Sequence, residues 1–186
     1  MENNVKTILL VGVGGQGTIL VSKLLTAGLI KAGFDVKMSE VHGMAQRGGS
    51  VSTQVRYGDK VYSPIVGKGG ADILVAFEQM EALRWIDYLK KDGTAVVADT
   101  ALPSLTTAIG AEKYPEGCLD EMKRLVKTVV VSADKIAREK GNPRGANIVL
   151  LSALIKEFGL DFIDWKEVFK EVLPPKILDM NLKLLD

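Results

Sequence analysis

Two short stretches carry most of the side chains that could do chemistry. "SEVHGMAQRGGSV", Ser39 to Val51, holds the only histidine, His42, and places Arg47 before Gly48 and Gly49. "GVGGQG" satisfies G-x-G-x-x-G through Gly12, Gly14 and Gly17, with Gly15 and Gln16 between them. A guanidinium forks onto phosphate or carboxylate oxygens, and bare glycine amides add donors. Arg47 with Gly48 and Gly49 is therefore a candidate anion contact, with an ion pair or a subunit contact as the plainer alternative. Backbone N–H groups at the start of the helix after GVGGQG could hold a phosphate. The same glycines also serve tight strand–helix packing in a domain that binds no nucleotide. Glu40 stands where an acid would meet a ribose hydroxyl. His42 could act as a general base, although a lone histidine is more often a hydrogen-bonded loop residue.

The remaining candidates have plainer readings. Glu78 and Glu81 follow an apolar run and read as first-turn acids favoured by the helix dipole. Lys68 in "VGKGG" lacks the spacing and hydroxyl of a phosphate loop and reads as a loop lysine able to attract an anion. The sequence contains no G-x-S-x-G elbow, no H-E-x-x-H and no telling Cys–His pair. The glycine loops point to binding, and a complete catalytic set is missing.

The elements that must position these residues follow from periodicity. "KTILLV" is an apolar run that predicts a buried strand, "TILVSKLLTAGLIKAGF" has helical length and an apolar face, and "DVKMSE" is a short second strand. This strand–helix–strand unit predicts the start of a parallel sheet. In "VSTQVRY" the period becomes two, and Gly58-Asp59 suits a tight turn into "KVYSPIV". An antiparallel hairpin is expected there, with Pro64 holding its second strand near an edge. "ADILVAF", "TAVVAD" and "KTVVVSA" are further buried strands, and "EQMEALRWIDYLK" is the helix after the first of them. The stretch 102–124 contains Pro103 and Pro115 and predicts a loop with one short helix. "GANIVLLSALIKEFG" is apolar nearly all round and predicts a buried helix, "DWKEVFKEVL" an amphipathic one, and "KILDMNLKLLD" a final helix or arm. The expected fold class is α/β: one three-layer, Rossmann-like domain over 1–186 with a mostly parallel sheet and an inserted antiparallel hairpin.

Composition narrows the function. The chain has 186 residues and a formal net charge of +1, with no basic run, which argues against nucleic acid and against an anionic membrane surface. The N-terminal apolar stretch is too short to span a bilayer and lacks the basic start of a signal peptide, so the expected compartment is the cytoplasm. Cys118 is the only cysteine. An iron–sulfur cluster needs about four thiolates, and a structural zinc needs a similar set, so neither is expected on this chain alone.

"GVGGQG", followed by "SEVHGMAQRGGSV" and "YSPIV", resembles the gamma-type subunits of 2-oxoacid:ferredoxin oxidoreductases, and within them the indolepyruvate type. "GMAQRGG" is the most specific part, and "ADILVAFEQMEALRW", "NIVLLSALIK" and "MNLK" extend the resemblance over essentially the whole chain. The family decarboxylates 2-oxoacids oxidatively with thiamine diphosphate, passes the acyl group to coenzyme A and delivers electrons through iron–sulfur clusters to ferredoxin. The resemblance implies that this chain carries none of these cofactors alone. Thiamine diphosphate, magnesium and the clusters would sit on a large partner subunit. The glycine loops with Arg47 would face coenzyme A phosphates or that partner. Two alternatives stay open: a gamma subunit for pyruvate or 2-oxoglutarate, and a stand-alone Rossmann-type nucleotide-binding protein. A subunit separated from its partner exposes apolar surface, through which copies could pair as a homodimer.

Overall fold

Strand β1, Lys6–Val13, is apolar at nearly every position because helices cover both faces of the sheet. Ile8 and Leu10 enter one core with Leu24, Leu25, Leu151 and Phe169. Leu9 and Val11 point the other way and pack with Leu74, Ala82 and Met122. This alternation makes three layers: α1 (Thr18–Lys31), α5 (Ala133–Glu139), α6 (Ala146–Glu157) and α7 (Trp165–Val172) on one face, α2 (Gln79–Trp85) and α4 (Cys118–Leu125) on the other. The computed structural model describes residues 4–42 and 48–185. Among them no helix is long and apolar enough to cross a membrane.

The sheet has six strands in the order β2-β3-β1-β4-β5-β6. Its remaining strands are β2 (Asp35–His42), β3 (Ser50–Gly58), β4 (Ala71–Ala76), β5 (Leu89–Ala98) and β6 (Lys127–Val131). β1, β4, β5 and β6 are parallel neighbours. β3 is antiparallel to both β1 and β2, so β2 runs in the same direction as β1 without touching it. The mostly parallel three-layer α/β sheet with an antiparallel insertion is as the sequence predicts.

The position of the hairpin differs. Its strands are β2 and β3, joined across 43–49, and the segment 60–66 that was expected to be the second strand is irregular. The reason is pairing capacity. β3 gives one edge to β1 and the other to β2, which leaves no ladder for a further strand. The segment is held by side chains instead. Gln54 accepts from Val66 N at 2.7 Å, Arg56 Nη1 donates to Ser63 O at 2.8 Å, and Asp35 accepts from Val61 N at 2.9 Å. That packing buries the polar face of β3, including Ser52 and Gln54.

Other boundaries moved for local reasons. α2 stops at Trp85, a 3-10 turn covers Ile86–Tyr88, and β5 begins at Leu89 rather than near Thr94. Lys90 donates to Asp72 at 2.6 Å and fixes this early part of β5 beside β4, where the register shifts. Two helices, α3 (Leu105–Ala108) and α4, occupy the stretch expected to hold one, and α5 was not expected at all. The tail resolves as helix α8, Pro175–Leu182, with proline in its first turn, where a missing N–H costs nothing.

α1 is placed by its contact with α7. A Cβ built on Gly28 would lie 2.7 Å from Trp165, whose ring is buried and whose indole N–H donates to Leu160 O at 2.9 Å. Gly28→Ala gains about 1 kcal/mol of helix propensity but overpacks this contact. A net loss of about 1–2 kcal/mol is expected, read as a lower thermal midpoint; a higher midpoint would show that α1 and α7 can part without cost.

Candidate functional site

The chain leaves β1 toward β2 on one side and β4 toward β5 on the other. The carboxyl ends of β1 and β4 therefore flank a topological switch point, where open α/β sheets form their ligand crevices. The turn after β1 lies on this edge. A Cβ on Gly12 would come within 2.8 Å of Gln16 Oε1 and 2.9 Å of Phe77 Cβ, so the position admits no side chain. Gly17 has φ +80°, and a Cβ there would meet Asn147 Nδ2 at 2.5 Å. Gly15, at φ +104°, faces open space.

Gln16 ties this turn together. Its Oε1 accepts from Val13 N at 2.7 Å, and its Nε2 donates to Phe77 O at 2.7 Å, joining the ends of β1 and β4. The turn also meets the loop before β3. Gly14 N donates to Gly49 O at 2.8 Å, and Gly48 N to Gly14 O at 3.4 Å. The structure thus brings together Gly12, Gly14, Gly15, Gln16, Gly17, Gly48 and Gly49. Arg47 lies outside the described residues. Two of the turn's amides, Gly14 and Gln16, are already spent on backbone carbonyls, the latter on Val13 O at 3.2 Å.

Glu40 does not stand where a ribose-binding acid would. β3 separates β2 from β1, and Glu40 accepts from Ser22 Oγ of α1 at 2.7 Å. His42 is half-exposed, with its Nε2 3.6 Å from Glu40 Oε2, on the edge strand away from the switch point. Lys68 pairs with Asp87 at 2.8 Å, on the loop that leads into β4 at the opposite end of the sheet. Glu78 is the N-cap of α2, accepting from Glu81 N at 2.9 Å, as a first-turn acid should. It does more than cap. It is fully buried and also accepts from Leu102 N and from the Tyr114 hydroxyl, which holds the stretch after β5 against β4. Burial first, and then this hydrogen bond, push the Tyr114 phenol well above its ordinary value. Glu81 is buried too, between Ser50 and Arg84.

The crevice opens into a cavity of about 510 Å³. Gly15, Gln16 and Phe77 form one wall, and Thr100, Arg138 and Arg144 line the others. Sequence reasoning missed the last three. The available signal was "GNPRG", a Gly/Asn/Pro turn directly before a buried helix, which had to bring a charged residue to that helix's start. The residues present do not fit the family's redox groups. Cys118 is the only thiol, buried, donating to Pro115 O, and pushed up by burial. No group of three His, Cys, Asp or Glu side chains able to hold a metal occurs among the described residues.

The family described as pyruvate ferredoxin/flavodoxin oxidoreductase matches residues 7–186. The chain belongs to that family. Among its oxidoreductase relatives is the indolepyruvate oxidoreductase subunit IorB of Pyrococcus horikoshii, 42% identical, with 96% of this chain and 92% of the relative aligned. In fold it is similar to the gamma subunit of a keto/oxoacid ferredoxin oxidoreductase from Geobacter sulfurreducens, at TM-score 0.70 and 22% identity over 97% of this chain and 94% of that one. A 2-oxoglutarate:ferredoxin oxidoreductase from Magnetococcus marinus, with 2-oxoglutarate, coenzyme A and succinyl-CoA bound, matches at TM-score 0.74 and 22% identity. That match covers all of this chain but only 30% of the larger one. The oxidoreductase fold thus occurs both as a separate subunit and within a longer polypeptide.

Gln16→Ala removes both hydrogen bonds of the Gln16 bridge and leaves Val13 N–H and Phe77 C=O to find other partners. A loss of about 2 kcal/mol is expected, or about 4–8 °C in thermal midpoint. An unchanged midpoint would mean that the bridge does not hold the turn.

Proposed function

We propose that the chain is the small subunit of an indolepyruvate:ferredoxin oxidoreductase, which converts an aryl 2-oxoacid and coenzyme A to arylacetyl-CoA and carbon dioxide and gives two electrons to ferredoxin. One contrast carries the reading. The switch point holds a formed crevice, and the sequence has a single cysteine, too few thiols for any cluster. Such a chain can bind and shape a site whose redox chemistry lies elsewhere. When bound on the large subunit, thiamine diphosphate supplies the electron sink for decarboxylation and iron–sulfur clusters carry the electrons away.

The part assigned to this chain is to complete the site. Gly12 and Gly17 set the turn after β1, Gln16 locks it to β4, and Gly15 leaves one wall of the crevice bare. With Gly14, Gly48 and Gly49, this edge is the face offered to coenzyme A phosphates and to the large subunit, and Arg47, next in sequence to Gly48, is assigned to the same partners. The similarity to IorB subunits supports the indolepyruvate type over the pyruvate and 2-oxoglutarate types.

Co-expression with the large subunit from the same cell tests the reading. The isolated chain should be colourless and inactive; the complex should be brown and reduce ferredoxin with indolepyruvate in preference to pyruvate or 2-oxoglutarate. Stoichiometric NAD or flavin on the isolated chain would overturn it. Within the active complex, Arg47→Ala should raise the KM for coenzyme A roughly tenfold, the cost of a charge-assisted hydrogen bond, or weaken assembly. If neither changes, Arg47 has no part in the site.

A further inference from the structure

We infer that a second cavity, between α8, α1 and the turn before α6, binds a free α-amino acid with a large apolar side chain. It is not the crevice at the switch point. Leu20, Ile177 and Met180 line it, and neither the glycine turn nor α5 does. The two share only the wall formed by Pro143, Arg144 and Asn147.

The argument begins with buried acceptors that lack donors. Asn142 lines the cavity and is only 4% exposed. Its amide nitrogen donates to Asn181 Oδ1 at 3.1 Å and to Met180 O at 3.5 Å, which fixes how the amide is turned. Asn181 is fixed in turn by donating to Ile177 O at 2.7 Å. With its nitrogen committed, Asn142 keeps a carbonyl oxygen that accepts from no described residue. Asn147, also buried, repeats the pattern: its nitrogen donates to Gly17 O at 3.3 Å, and its Oδ1 has no donor among the described residues. Two oriented carbonyls on one cavity wall call for a ligand that brings N–H donors.

Charge divides the same cavity. Arg144 has no hydrogen bond or ion pair with any described residue, and a guanidinium grips a carboxylate bidentately. It directly precedes the start of α6, a helix of 12 residues with no side chain capping its first turn. The positive end of α6 therefore lies on the side of Arg144. Met180 and Asn181 belong to the last turn of α8, which carries no basic residue. The negative end of that helix lies beside the Asn142–Asn181 pair and favours a cation. A zwitterion fits both ends, its carboxylate on Arg144 and its ammonium on the asparagine carbonyls.

The rest of the lining sets the side chain. Leu20 and Ile177 pack on the main core, whereas Met180 is exposed although apolar. A thioether is flexible and polarisable and adapts well to a ring. The cavity volume of about 550 Å³ lies within the range of small-molecule sites, roughly 300–1,000 Å³. A small ion would leave the apolar wall uncovered, and a hydrocarbon would leave Asn142 and Arg144 unmet.

Titration calorimetry on the full chain tests the site with L-phenylalanine and two analogues: phenethylamine, which lacks the carboxylate, and phenylpropionate, which lacks the amine. L-Phenylalanine should bind, and each analogue about tenfold or more weakly, the cost of one charge-assisted contact. Arg144→Gln, at an exposed position, should weaken L-phenylalanine about tenfold and leave phenethylamine unchanged. Met180→Ala, exposed as well, should weaken all three. No binding of L-phenylalanine at millimolar concentration overturns the proposal, as does an analogue that binds as tightly. Loss of binding in Arg138→Gln overturns it too, because that side chain lines the crevice and not this cavity. Every outcome is read on this chain without a partner or a turnover assay, so this site and the subunit assignment fail independently.

Discussion

The space between the ends of β1 and β4 is too small for ordinary side chains, and much of the molecule is arranged around that fact. Phe77 presses on Gly12, Asn147 presses on Gly17, and Gln16 fills what remains with two hydrogen bonds. The turn fixes where α1 starts, and α1 in turn packs on Trp165 of α7 through Gly28. Through Gly14 and Gly49 the same turn draws the loop before β3 to the crevice. The G-x-G-x-x-G spacing is thus accounted for by packing before any ligand is considered. That is why the motif identifies the kind of turn and leaves the ligand to be argued from other residues.

β3 supplies the second constraint. A strand has two hydrogen-bonding edges, and both of β3's are taken. From this follow the irregular course of 60–66, the burial of Gln54 under that segment, and the displacement of Glu40 by a full strand from the position of a ribose-binding acid. One inserted strand therefore removes the acid half of a dinucleotide site while leaving the glycine half intact.

These two constraints divide what the sequence could convey. Continuous apolar runs made β1, β4 and β6 legible, and the all-apolar helix α6 and amphipathic α7 were equally clear, because burial on both faces or on one leaves a local pattern. Partner choice leaves none. The alternation in 51–57 revealed a strand but could not reveal that its neighbours would be β1 and β2. The early start of β5 depends on Lys90 reaching Asp72, a contact between two strands. Within the site, the glycines were visible as motifs. Arg138 and Arg144 were not, since charged residues at the end of one helix and before the next look like ordinary solvated surface until the fold turns them to a common cavity.

The distribution of charge along this edge also says what kind of work it can do. The acids near the crevice are already engaged as acceptors: Glu78 by Glu81 N, Leu102 N and Tyr114, Glu81 by Ser50 and Arg84, Asp99 by Ser132, Asp134 by Thr100. A carboxylate so held has oxygens already occupied by donors from this chain. The histidine lies beyond β3 on the sheet's margin. What stays uncommitted among the described charges at the cavity is cationic, on Arg138 and Arg144. An edge whose described carboxylates are engaged as acceptors, while its described arginines are not engaged, is suited to holding and orienting an anion, and this fits the proposed role of completing a site together with another chain.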